Sequence, residues 1–193
     1  SQTLAALRRW DGSPVHTVVY THGHIDHTWG ARLLGQGAGA RGLPHPRIIA
    51  HRNVLYRFGR YDATHALNSI VMGRHFNQPG YTFPDGHRRP DEVYDDALVL
   101  AVDGVRMELF NGRGETDDAT FVWLPEQRVL ASGDFVIWVF PNAGNPRKVQ
   151  RFAPQWAMAL RRMQHLQPDV LIPGHGPVVG GAARVAQVLG DGA

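Results

Sequence analysis

Apolar positions along the chain mark out a succession of short elements. Thr3 to Trp10 places Leu4 and Leu7 on one helical face and stops at Asp11-Gly12, the signature of a helix C-terminus. Val15 to Tyr20 is a β-branched, apolar run free of turn residues, which predicts a buried strand. Thr28 to Leu34 suits a short helix closed by Gly35, Arg47 to Ala50 a further strand, and Asn53 to Met72 has helical spacing that breaks near Gly59. From Gly73 to Asp96 the chain is rich in Pro, Gly and charge, and its length predicts a functional lid or an excursion over the surface.

The second half has a different rhythm. Leu98 to Val102 and Val105 to Phe110, joined by Asp103-Gly104, predict a tight hairpin. Ala119 to Leu124 and Arg128 to Ser132, joined by Pro125-Glu126-Gln127, predict a second. Gln155 to Leu166 is an amphipathic helix, Val170 to Ile172 a short buried strand and Ala182 to Leu189 a closing helix. Neither repeat nor linker interrupts the chain, so residues 1–193 read as a single domain. Strands alternating with helices, then hairpins, then a helix-strand-helix unit predict a mixed sheet covered by helices, of class α/β or α+β.

Composition adds exclusions. With 43% hydrophobic and 19% charged residues in 193, the chain has material for one sizeable core and is not a disordered sequence. No apolar run approaches the roughly 20 residues of a membrane span, and Ser1-Gln2-Thr3-Leu4 does not resemble a signal peptide, so a soluble protein is expected, with the cytoplasm its favoured compartment. The absence of cysteine removes thiolate ligands, so a metal would have to be held by His, Asp or Glu. A net charge of +3, with the arginines scattered in pairs such as Arg88-Arg89, predicts no nucleic-acid partner.

The 11 histidines change the picture, because three of them fall in His22-Gly23-His24-Ile25-Asp26-His27, directly after a predicted strand. Neutral imidazoles and a carboxylate suit Zn²⁺, Fe or Mn²⁺. Extended spacing sends His22 and His24 to one side and leaves Asp26 and His27 for a neighbouring position, so two metal ions can be accommodated.

This His-x-His-x-Asp-His motif resembles that of the metallo-β-lactamase superfamily, and later motifs occur in the family's order: Gly114-Glu115-Thr116-Asp117-Asp118, Ser132-Gly133-Asp134 and Pro173-Gly174-His175-Gly176. The family usually has His where this chain has Glu115, a departure shared with its alkylsulfatase branch. The resemblance implies an αβ/βα sandwich, with His22, His24 and Glu115 on one metal, Asp26, His27 and His175 on the other and Asp134 bridging. It implies a hydrolase that uses a hydroxide shared between two divalent ions, Zn first and Fe or Mn as alternatives. Asp26 would both ligate and orient the nucleophile, and an anionic ester such as an alkyl sulfate would be the substrate. Asn142 and Arg147 match the branch's sulfate-binding residues by their offsets from Asp134, with Lys148 a weaker anion-binding candidate.

Only 21 residues precede the histidine loop, fewer than the family provides, so the resemblance further implies that an N-terminal segment is missing from this chain or supplied as a separate one. A homodimer is a further expected partner, through the helical region that the branch carries beyond its last His. Two other readings stay open: a non-haem iron oxidoreductase or dioxygenase on the same scaffold, and a non-catalytic metal-binding module. His16, His45, His51, His65, His75, His87 and His165 lie outside metal spacing, and Tyr56, Phe58, Tyr61, Trp138 and Phe140 read as packing residues, the last two with an apolar substrate channel as their alternative.

Overall fold

The computed structural model describes residues 2–139 and 151–193. The elements run α1 (Gln2–Trp10), β1 (Thr17–Val19), α2 (Ile25–Thr28), α3 (Ala31–Gly39), β2 (Arg47–His51), α4 (Asn53–Ala63), α5 (His65–His75) and β3 (Glu92–Tyr94) in the first half. The second half adds β4 (Ala97–Val102), β5 (Val105–Gly112), β6 (Ala119–Leu124), β7 (Val129–Ile137), α6 (Ala153–His165), β8 (Val170–His175), β9 (Val179–Gly180) and α7 (Ala182–Asp191). They form two sheets: a parallel one in the order β1-β2-β3, and a six-stranded one in the order β4-β5-β6-β7-β8-β9, antiparallel except for the β7–β8 pair.

Period-two alternation explains how the sheets face each other. On β6, Ala119, Phe121 and Trp123 pack with Trp156, Leu160 and Met163 of α6 and Val185 and Leu189 of α7, while Val122 points the other way, to Ile49 and Tyr94 of the first sheet. On β2, Ile49 enters that inter-sheet layer, whereas Ile48 and Ala50 pack outward on Val54 and Phe58 of α4. The order is therefore helix, sheet, sheet, helix, the expected αβ/βα sandwich. α6 has the spacing its burial requires, with Trp156, Ala159, Leu160 and Met163 along one face.

Several expectations need correction. The helix after the histidine loop does not stop at Gly35: α3 runs through it to Gly39, and Gly35 sits against the His45 ring, where a Cβ would come within 3.1 Å of Nδ1. The long helix breaks at Thr64 instead of Gly59, and the Thr64 hydroxyl donates to the Arg60 carbonyl at the junction. Residues 73–96 include β3, an edge strand of the first sheet, which is too short at three residues to show a pattern. The second hairpin continues past Ser132 to Ile137, so Asp134 lies inside an irregular stretch of β7. Trp138 is 76% exposed and Tyr56 70%, so neither is a core packing residue. The Asp103-Gly104 turn is as expected, with both residues at positive φ between Val102 and Val105.

Candidate metal centre

The site forms where strand ends meet at one edge of the sandwich. The loop after β1 carries His22 and His24, while Asp26 and His27 stand on the short helix α2 that follows, not on the loop that the sequence had suggested for all four. The β5–β6 connection supplies Glu115, β7 Asp134 and the end of β8 His175. The loop is fastened to both sheets: Tyr20 N–H donates to the Ile49 carbonyl at 2.9 Å, and Thr120 N–H to the Thr21 carbonyl at 2.6 Å. β7 and β8 approach so closely beside it that a Cβ on Gly174 would overlap the Asp134 carboxylate, which explains a glycine next to His175.

The structure brings all seven anticipated donors together in two groups: His22, His24, Glu115 and Asp134, then Asp26, His27 and His175. In the first, His22 Nε2 lies 2.9 Å from His24 Nδ1 and 3.9 Å from Asp134 Oδ2, and His24 Nδ1 lies 3.7 Å from Glu115 Oε2. In the second, His27 Nε2 is 3.2 Å from His175 Nε2 and 3.4 Å from Asp26 Oδ2, and His175 Nε2 is 3.2 Å from the same Asp26 oxygen. Asp134 reaches both groups, with Oδ1 3.3 Å from His27 Nε2 and Oδ2 3.6 Å from His175 Nε2.

These separations fit a metal. Ligands about 2.05 Å from a tetrahedral ion stand about 3.3 Å apart, the spacing found throughout the second group. Asp134 Oδ1 is buried without a well-aligned hydrogen-bond donor, a state that proteins rarely leave without an ion or water. The residues therefore suit divalent cations, and Glu115, hard and anionic where the family usually has imidazole, is compatible with Zn²⁺, Fe or Mn²⁺.

Electrostatics separates the two groups. Burial, reinforced by the neighbouring His24 and His27, pushes the His22 imidazole down to about 3, and burial with Arg57 nearby pushes His24 down to about 4. His27 goes the other way: burial opposes its charge, but the Asp134 and Asp26 carboxylates prevail and raise it to about 9. The hydrogen bond with His27 holds Asp26 well below the usual carboxylate range. Burial alone would raise Asp134, yet His27 and His22 outweigh it and hold this carboxyl low as well.

Asn142, Arg147, Lys148 and Phe140 lie outside the described residues. Arg151 follows that stretch, and its guanidinium is ion-paired with Glu115 Oε1. Arg57 and Asp118, which sequence reasoning gave no role, form a buried pair behind the histidine loop, Nε to Oδ2 2.8 Å. Burial would push the Asp118 carboxyl up, but Arg57 beside it holds it low. A signal existed in the sequence, since Arg57 shares the α4 face of Val54 and Phe58, where an arginine needs an anion.

Known proteins share this fold. The chain is 25% identical over 213 residues to a linear primary-alkylsulfatase of a Pseudomonas species, covering 97% of this chain and 39% of that protein. A 2,4-dinitroanisole O-demethylase subunit alpha of a Nocardioides species is 27% identical over 166 residues, covering 84% of this chain and 40% of that protein. Among solved structures, the stereoselective inverting sec-alkylsulfatase Pisa1 of a Pseudomonas species superposes with a TM-score of 0.71 at 22% identity, over 99% of this chain and 34% of that one. The chain thus spans well under half the length of these relatives. The metallo-beta-lactamase superfamily model matches residues 1–175, from α1 through the last candidate ligand, His175, and the chain belongs to that superfamily.

Proposed function

We propose that this chain carries the metal centre of a hydrolase acting on an anionic ester, a sulfate ester first among them. The observation that carries the reading is the gathering of seven donors into two groups with Asp134 reaching both, a set that supports two neighbouring cation sites. Two divalent ions held there supply a water that ionises near neutral pH and a positive field for a departing oxygen. Asp134, whose Oδ2 faces both His22 and His175 while Oδ1 faces His27, would be shared between the ions, and Asp26, half exposed at the mouth, would both ligate and orient the attacking water.

Charge favours an anion as substrate. Two divalent cations would balance the three carboxylates Asp26, Glu115 and Asp134 together with the ionised water, and Arg151 on Glu115 leaves one positive charge. Asn142 and Arg147 are proposed to grip the sulfate oxygens, an amide donor beside a bidentate guanidinium. Attack is proposed at the alkyl carbon, and the relatives' names support a substrate in which an alkyl group is bound to oxygen, an alkyl sulfate in one and an O-methyl ether in the other.

The deciding experiment supplies the chain with Zn²⁺, Mn²⁺ or Fe²⁺ and follows turnover of an alkyl sulfate, a phosphoester, a lactone and a neutral carboxylic ester. Metal-dependent sulfate release is expected, with ¹⁸O from labelled water appearing in the alcohol. Oxygen uptake with Fe²⁺ and no hydrolysis of any ester would instead establish the oxidoreductase reading. Tight metal binding without turnover would favour the non-catalytic module.

A further inference from the structure

Asp118 is fully buried and is not among the seven donors, yet it touches the loop that carries two of them. Its Oδ2 accepts the Gly23 N–H at 3.0 Å and the Arg57 Nε–H at 2.8 Å. Arg57 also donates to Asp117 Oδ1 at 3.0 Å, and Asn53, one turn earlier on α4, donates to Asp117 Oδ2 at 3.2 Å. The loop is pressed onto this pair: a Cβ on Gly23 would lie 2.8 Å from Arg57 Cδ and 3.0 Å from Asp118 Oδ2.

We propose that Arg57 and Asp118 are positioning residues that set the His22-Gly23-His24 backbone against Glu115 and so shape the buried half of the centre for its ion. The inference rests on reading the cluster as a metal centre. Asp118 stands three residues after Glu115, so one short segment delivers a candidate ligand and the acceptor that places two others. Adhesion alone would not require this pair, because the desolvation of a buried Arg–Asp contact offsets much of its attraction and an apolar contact would join α4 to the segment as well. What the carboxylate adds is a fixed acceptor for the peptide N–H between the two histidines, and Arg57 keeps that acceptor charged and aimed. Outer partners that fix the ligands typically carry a 10- to 100-fold effect on metal affinity, and Asp118 would act through the backbone that joins two of them.

The test is a Zn²⁺ titration of the full chain against a chromophoric chelator, with the visible spectrum of the Co²⁺ form and the melting curve of each metal-free variant. The unsubstituted chain is expected to bind two ions. Asp118→Ala and Arg57→Met should weaken the tighter ion by about 10- to 100-fold and shift the Co²⁺ bands, while the second ion changes by less than about threefold. Asp118→Asn retains an acceptor oxygen for Gly23 N–H and should recover most of that affinity. Should Asp118→Ala fail to fold, Arg57→Lys decides, since it preserves charge, loses the Nε donor and should weaken the same ion. Folded variants that bind both ions as the unsubstituted chain does, or that lose both equally, overturn the positioning role. An unsubstituted chain that binds no ion overturns the metal reading, and the proposal with it.

Discussion

The two halves of the candidate centre are built from similar side chains and differ in burial. His22 is 1% exposed and sits with His24 against Glu115 under the loop, whereas the side chains of Asp26 and His175 are 56% and 50% exposed at the mouth. In the inner half burial keeps the imidazoles neutral, so their lone pairs are available at any ordinary pH. In the outer half the carboxylates hold a proton on His27, which an incoming cation must displace. On the proposed reading this is a division of labour: the inner half would hold an ion, and the outer half would exchange one with solvent and meet a substrate.

The largest test of that division removes what the halves share. Asp134→Ala should cost both ions, read by metal analysis after dialysis, with ester turnover falling about 100-fold or more. Two ions retained would show that the halves are independent. Next in size is the contrast between His24→Ala and His175→Ala. The first should abolish the tighter ion and lower the metal-free melting temperature. The second should weaken only the looser ion and leave that temperature within a few degrees, about 0.5 kcal/mol, because His175 is half exposed. The reverse order in a titration with parallel melting curves would break the comparison.

A smaller effect is expected from pH on the metal-free chain. His22 and His24 titrate lower when folded than the 6.5 of a free imidazole, so the unfolded chain binds more protons and stability falls as pH drops below about 6.5 toward 4. His27 has the opposite sign: its contribution is complete below about 6.5 and is lost as pH rises through about 9. Melting temperature in chelator should therefore peak near neutrality, and His27→Gln should flatten the alkaline side. The smallest change belongs to the rim, where Trp138→Ala should alter stability by no more than about 0.5 kcal/mol, measured by urea denaturation, since that ring is 76% exposed.

Much of the frame was legible because local pattern carried it. The hairpin at Asp103-Gly104 needs positive φ at both positions, and that residue pair supplies it. The spacing of Trp156, Leu160 and Met163 leaves α6 one face to bury. Where the reading failed, long-range contacts had overridden local propensity. Gly35 remains helical beside His45, and three-residue β3 exists only because β2 pairs with it, Ala50 opposite Val93. The Arg57–Asp118 pair was hidden for a related reason: a charged residue on an apolar helix face declares that it needs a partner without saying which one.

By itself the sequence determined the donor types and their order, because zero cysteines and the His22 to His27 spacing leave few other ways to hold a cation. Tertiary structure alone decided that Glu115, Asp134 and His175 close on that loop, and that one half is buried and the other open. Convergence of strand ends drawn from two facing sheets, and the burial that tunes each imidazole, depend on packing between segments far apart in the chain, which no local pattern encodes.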